Sequence, residues 1–481
     1  MNRIFSDCLH LDPERFPMEE LHALDDGQWD RLIDMVAGHR VTVVFHDRLV
    51  KALAREEKAL AAGADTVEGK DRIHPNLNQP EPDQSQPGRS EPNQTNSTHP
   101  EPFTRAIEKL HTFSRHLTKV NLQKQHDLLT VLRRLDAAGI PVILLKGAWL
   151  AHAVYEAPGM REMADLDLMV RVRDLDQTVA ILREIGYKTG RDLKDLDIEI
   201  QRKHHLPSFR REGAIMIELH WNITHEGHDD FVPPDGFWER SREVRVSGVP
   251  ARTLSPEDML LHLSRHITYQ HMFLPGIRPV LDVALFLKKL RVDGAGSAEA
   301  DGVGALDWDV LTREATARGW NRGVWLTLRM AQYLFGAPVP DDALRRLEDG
   351  GGMRQSDSSS GSAKLTPDDP DAIVRTASEQ MLTLYFRRNL TKHQVTNLMN
   401  KKGISGKLKH ILGRLFPPRK RIAQIYILPH DSAKVWLLYP AYIAKLLWRS
   451  VLYSRNAMQK EEGVAGQVAR REQLRVFLDG G

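Results

Sequence analysis

The sequence predicts an α+β protein in which a small mixed β-sheet core is flanked by helices and followed by a mostly helical C-terminal region. Two observations predict it. Between Pro141 and Trp221, short apolar runs and helical segments alternate in the order strand, helix, strand, helix, strand, hairpin, a pattern that fits a compact sheet covered by helices. On both sides of that stretch, apolar residues recur at helical spacing, through Leu128, Leu132 and Leu135 before it and Leu260, Leu261 and Ile267 after it.

Residues 1–60 read as an N-terminal helical segment, in which Trp29, Leu32, Ile33 and Val36, then Val41, Val44, Phe45, Leu49 and Leu53, form an apolar stripe. Residues 61–102 differ. They are rich in Pro, Gln, Asn, Ser and Glu and nearly free of large apolar side chains, so they bury too little surface to offset their ordering entropy and read as a disordered low-complexity insert. Helical period resumes at Phe103 and stops near Ala138-Gly139, a glycine stop.

The core is expected over 103–250. Pro141-Val142-Ile143-Leu144-Leu145 is a short buried strand, and Lys146-Gly147 stands where a helix over 148–155 begins. A second strand runs Asp165-Leu166-Asp167-Leu168-Met169-Val170, a helix follows over 173–185, closed by Gly186, and a short strand is expected at Tyr187. Arg211-Glu212-Gly213 is a hairpin signal leading into Ile215-Met216-Ile217-Glu218-Leu219-His220-Trp221. Helices lie on one face, and the sheet presents its acids along an open edge. Residues 251–345 form a helical domain, opened by Ser255 as N-cap with Pro256 at the first helical position. Residues 346–372 read as a flexible linker and 373–481 as a basic helical region.

Composition narrows the function classes. The chain has 481 residues, enough for two or three domains, with 41% hydrophobic and 27% charged residues, as in ordinary soluble proteins. A net charge of +3 compels no nucleic-acid partner and does not exclude one. The single cysteine, Cys8, rules out an intramolecular disulfide framework and a cysteine-based metal cluster, which suits a reducing cytoplasm, the expected location. The opening MNRIFSDCLHLDPERFP lacks an apolar core of signal-peptide length, and no transmembrane segment is expected. The apolar run at 435–449 sits among basic residues and allows weak membrane-surface contact, but Pro440 interrupts it and a packed terminal helix explains the same pattern.

The chemistry concentrates in the core. Asp165 and Asp167 are two apart on a strand, so their carboxylates share a face. Two such charges about 4 Å apart repel by roughly 4 kcal/mol at an effective dielectric near 20, so a cation belongs between them. A hard divalent ion takes carboxylate oxygens and keeps positions open for water and phosphate. Glu218, in an otherwise apolar strand, is the third acid such a centre calls for. Lys146 and Gly147, at a strand-to-helix turn, offer a point charge and close backbone approach to a phosphate, and Arg161 would brace the carboxylates or clamp a phosphate. His220 shares the face of Glu218 and reads as a satisfied buried histidine. His262 and His266 share a helix face without the His-Glu-x-x-His pattern of a zinc site.

Leu145-Lys146-Gly147, Arg161, Asp165-x-Asp167 and Glu218-Leu219-His220-Trp221 together resemble the signature of the uncharacterised nucleotidyltransferase family within the polymerase-β-like superfamily. The resemblance implies a mixed-sheet nucleotidyltransferase core and Mg²⁺- (or Mn²⁺-) dependent transfer of a nucleoside monophosphate from an NTP. Asp165, Asp167 and Glu218 would be its catalytic metal ligands, and Lys146, Gly147 and Arg161 would contact the nucleotide. The acceptor would be a hydroxyl or phosphate on a small molecule, peptide or protein. The superfamily places Gly-Ser or Gly-Gly at the turn, whereas Gly147 is followed by Ala148. That departure favours an alternative, an inactive nucleotide-binding regulatory protein on the same scaffold. Three mutually repelling acids favour the enzyme.

Overall fold

The computed structural model describes residues 1–68, 99–189, 204–224, 232–274, 276–290, 305–353, 370–385 and 464–480, with five isolated positions between 436 and 443. The chain opens with helices Asn2–Cys8, Met18–His22, Asp26–Gly38 and Thr42–Glu68. Asp25 and Gln28 start the third through a reciprocal capping box: Gln28 N–H donates to Asp25 Oδ1 at 2.7 Å and Asp25 N–H to Gln28 Oε1 at 2.9 Å. The fourth runs past the boundary expected at residue 60, and residues 69–98 of the expected insert lie outside the described residues.

The helix Glu101–Ala137 delivers the chain to the sheet. It ends at Gly139, whose φ of +68° lets Ile140 N–H return to Leu135 O at 2.9 Å, a glycine-terminated stop. Among the described residues seven strands follow: β1 (Ile143–Leu144), β2 (Asp165–Met169), β3 (Lys188–Thr189), β4 (Phe209–Arg210), β5 (Met216–His220), β6 (Arg242–Val246) and β7 (Val249–Thr253). Their order across the sheet is β3-β4-β5-β2-β1-β7-β6. β2 runs parallel to β5 and antiparallel to β1, and β1 runs parallel to β7.

Two features depart from expectation. β2 and β5 are interior strands, so the acids stand inside the sheet and not along an open edge. The hairpin β6–β7 extends the sheet beyond β1, turning through Ser247 and Gly248 at φ of +48° and +82°, the backbone of a tight two-residue hairpin.

Ser255 caps the helix Pro256–Arg265, its Oγ accepting from Asp258 N–H at 3.2 Å, as the sequence predicts. A π-helical turn, His266–Gln270, prolongs it. Helices Arg278–Lys289, Trp308–Ala317, Asn321–Phe335 and Asp341–Gly350 follow. Helices Pro370–Tyr385 and Val464–Asp479 pack together and against Asn321–Phe335. One contiguous hydrophobic core runs from Phe5 to Leu478, so the N-terminal helices, the sheet and the C-terminal helices share a single interior. Most of 373–481, including most of 435–449, lies outside the described residues. Among the described residues no helix is long and apolar enough to cross a membrane. Cys8 is a buried free thiol.

His39 ties the N-terminal helices to the C-terminal ones: its Nδ1 accepts from Ile277 N–H at 3.1 Å and its ring stacks on Phe5 at 5.2 Å. Burial pushes its pKa down to about 3. Because the folded value lies below the unfolded one, this contribution to stability is complete above about pH 6.5 and is lost as pH falls toward 3. Urea unfolding at pH 7, 6 and 5 is expected to show His39→Gln losing about 1 kcal/mol less per pH unit than the natural protein below pH 6.5. Parallel pH dependences would mean that His39 takes up no proton on unfolding.

Candidate active site

β1 is followed by Leu145, whose N–H donates to Asp167 O at 3.1 Å, and the chain then turns sharply at Lys146. Lys146 has φ +42° and ψ −122°, a conformation that costs a non-glycine residue roughly 1–3 kcal/mol and is held only where its surroundings require it. Here the turn places the ammonium 3.2 Å from Asp167 Oδ1, with the two side chains 12% and 8% exposed. The helix Gly147–Ala153 starts at once.

Opposite this turn, strand register sets the acids. Asp167 is the direct partner of Glu218 across the parallel β2–β5 pair, with Asp165 against Met216 and Met169 against His220. Partners in register point to the same side of a sheet, as do residues two apart on one strand. Asp165, Asp167, Glu218 and His220 therefore share one face. His220 Nε2 lies 3.0 Å from Asp167 Oδ1 and 3.9 Å from Glu218 Oε2, and Ser208 Oγ donates to Glu218 Oε1 at 3.1 Å. Ligand atoms of Asp167, Glu218 and His220 all fall within 4.8 Å of one another.

Electrostatics divide the acids. Burial alone would raise Asp167, but the Lys146 ammonium and the His220 hydrogen bond outweigh it and hold the carboxyl well below the usual carboxylate range. Asp165 is raised by burial and by the charge of Asp167, against the pull of Lys146. Asp165 has no hydrogen bond or ion pair with any described residue. His220 Nδ1 is likewise buried without a hydrogen-bond partner.

Histidines wall the centre on the helical side. His262 and His266 are pushed down by burial first and then by the Lys146 charge. The His266 ring meets His271 edge-on at 4.3 Å. His204, beside His205 and His220, is lowered to about 2 by burial and by those neighbours. Burial thus disfavours a positive charge on His204, His262 and His266 beside the acids.

The other residues expected at the site have different surroundings. Arg161 is 6% exposed and forms a two-point ion pair with Asp282, 1% exposed, at 2.9 and 2.7 Å. Tyr155 donates to the same carboxylate at 2.6 Å. Burial works against the charge of Arg161, and Asp282 overcomes it, so the guanidinium is held protonated more firmly than a free arginine. Gly147 has no side chain because Arg161 occupies the space: a Cβ there would lie 2.0 Å from Arg161 Nη1.

Three basic residues not singled out in the sequence, Arg40, Lys124 and Arg278, gather instead around Glu162, in the segment that leads to Asp165. Lys124, on the long helix, donates to Met163 O, and Arg278 donates to Glu162 O, two carbonyls of the segment that leads into β2. Arg278 Nε is buried without an acceptor. Lys124 is pushed down by burial and by the nearby Arg40 charge, with Glu162 and Asp165 acting oppositely. None of the three forms an ion pair with a described residue. No local pattern marks them, since they come from three elements far apart in the chain.

Fold and site together define the class: an α+β protein carrying an acidic centre in register on adjacent parallel strands. The sequence matches the family model described as uncharacterised nucleotidyltransferase over residues 90–336, and the chain belongs to that family. No curated protein matches it. A solved structure described as an antigenic nucleotidyltransferase-like protein from Paracoccidioides brasiliensis aligns at 14% identity. The alignment covers 46% of this chain and 96% of that one at a TM-score of 0.26, which carries no argument about geometry.

Proposed function

We propose that the protein is a divalent-metal-dependent nucleotidyltransferase that moves a nucleoside monophosphate from an NTP to a hydroxyl or phosphate acceptor, releasing pyrophosphate. The observation that carries this reading is the register of Asp167 with Glu218, with Asp165 on the same face. The donor set fits a hard ion: the carboxylates of Asp167 and Glu218 offer oxygens within 4.8 Å of one another, and a third carboxylate, Asp165, lies on the same face. Asp165, Asp167 and Glu218 would hold Mg²⁺ or Mn²⁺, which when bound supplies Lewis acidity toward phosphate oxygens and neutralises their charge.

The chain's own residues account for the rest. Lys146 and His220 keep Asp167 ionised. Glu218, whose side chain is 24% exposed, is placed to take the acceptor's proton as its oxygen attacks the α-phosphorus and the bond to the pyrophosphate oxygen breaks. Lys146 and Arg161 already have carboxylate partners, so the triphosphate tail is assigned to the unpaired charges of Arg40, Lys124 and Arg278.

Pyrophosphate release with each NTP, with and without Mg²⁺ or Mn²⁺ and across a panel of acceptors, tests the reaction. Arg40→Asn, chosen because asparagine tolerates the φ of +57° found at Arg40, is expected to raise the KM for NTP about ten-fold, the worth of one charge-assisted contact. An unchanged KM would remove Arg40 from the tail site. NTP that raises the melting temperature without pyrophosphate release under any condition would favour an inactive nucleotide binder.

A further inference from the structure

A second cluster of metal-ligating side chains lies outside the carboxylate centre. His22 ends the helix Met18–His22, Glu56 projects from the helix Thr42–Glu68, and His99 stands just ahead of the helix Glu101–Ala137. One ligand atom from each falls within 4.8 Å of the others. His22 Nε2 and Glu56 Oε2 are both shut away from solvent, and neither has a hydrogen-bond partner. The rings of His22 and His99 lie 5.0 Å apart at 24°, and both rest on Phe103, at 4.3 and 5.2 Å. Phe103 is fully buried and packs on Trp29, so one wall of the cluster is apolar.

Two buried ligand atoms that each present a lone pair with no donor to accept from are a costly arrangement for a protein to keep. A cation between them satisfies both. Two imidazoles and one carboxylate form a donor set suited to a borderline ion, with metal–nitrogen distances of about 2.0–2.1 Å and metal–oxygen distances of about 2.0–2.2 Å. Hard ions such as Mg²⁺ and Ca²⁺ prefer all-oxygen sites. Two imidazoles on one tetrahedral ion at those distances place their ring centres about 5 Å apart, the separation seen between His22 and His99.

We propose that His22, Glu56 and His99 form a transition-metal site, best matched to Zn²⁺, that staples the chain at His99 to the N-terminal helices. The three ligands come from separate elements, and Glu56 and His99 stand far apart in the sequence, so the ion would join distant positions of the chain. Such a clip reduces the freedom of the unfolded chain. The role is structural and independent of the carboxylate centre.

The test uses the full chain, stripped with a chelator and titrated with Zn²⁺ alone and, separately, with Co²⁺, whose visible absorption reports tetrahedral nitrogen and oxygen ligation. The natural protein and Asp167→Asn are expected to bind an equivalent of Zn²⁺ at this site and to gain several degrees in melting temperature. His22→Gln with His99→Gln is expected to lose that equivalent, the cobalt band and the thermal gain. Glu56→Gln, which keeps the side chain's shape, is expected to weaken this site at least ten-fold and serves if the double variant does not fold. Zinc stoichiometry and thermal gain that survive in Glu56→Gln and the double variant, or disappear in Asp167→Asn, would overturn the proposal.

Discussion

On the proposed reaction, Asp165→Asn and Asp167→Asn are both expected to lower nucleotidyl transfer by about 10²- to 10⁴-fold, the several kcal/mol that a cation would supply to a phosphoryl transition state, yet to move metal-free stability in opposite directions. Asp165 has no hydrogen-bonding or ion-pairing partner among the described residues and is raised by burial and the neighbouring Asp167, so removing its charge relieves repulsion. The melting temperature of the chelator-treated protein rises. Asp167 is the counter-ion of a mostly buried Lys146 and accepts from His220. Its neutralisation strands an ammonium in a region of low dielectric, and the melting temperature falls. Mg²⁺ added to the natural protein is expected to raise the melting temperature, and to do so in neither variant. Paired loss of activity without this split would mean that Lys146 does not depend on Asp167 in the folded protein. An Asp167→Asn enzyme that still turns over at the natural rate would remove the acidic centre from the reaction.

Asp282→Asn is expected to cost about 3–5 kcal/mol of unfolding free energy in urea, the usual consequence of removing one partner of a buried ion pair. Asp282 carries two contacts from Arg161 and one from Tyr155, and all three groups are buried. The double variant Arg161→Met with Asp282→Leu is expected to recover most of the loss, because no uncompensated charge remains. Gly147→Ala reaches the same pair from the other side: its methyl would meet the guanidinium that Gly147 accommodates, so it also lowers the urea midpoint. A loss below about 1 kcal/mol in Asp282→Asn would mean that Arg161 is not committed to Asp282, and would return it to the phosphate side of the site.

The placement of the acids on one sheet face was legible because its determinants are local. The period of two in Asp165-Leu166-Asp167 puts both acids on one face whatever surrounds them. Glu218 stood out because an acid in an apolar strand requires a partner. Residues 242–253 were legible in principle, since alternating side chains flank a Ser-Gly turn, but five charged or proline residues within them dilute the apolar signal. The role of Gly147 was not legible. A glycine at a strand-to-helix turn has the same local pattern whether it makes room for a phosphate or for a guanidinium, and the choice rests on Asp282, well over 100 positions away.

The sequence by itself determined the α+β class, the strand-borne acids and the caps and glycine stops that bound the helices, because these follow from side-chain period and backbone freedom within a few residues. Tertiary structure alone decided that β2 and β5 lie side by side in the interior of the sheet with Asp167 against Glu218. It also decided that Lys146 neutralises Asp167, that Arg161 is paired to Asp282, and that Arg40, Lys124 and Arg278 are left without carboxylates. Charge pairing depends on which groups meet across space and how far water is excluded from them, and neither is written in the spacing of residues along the chain.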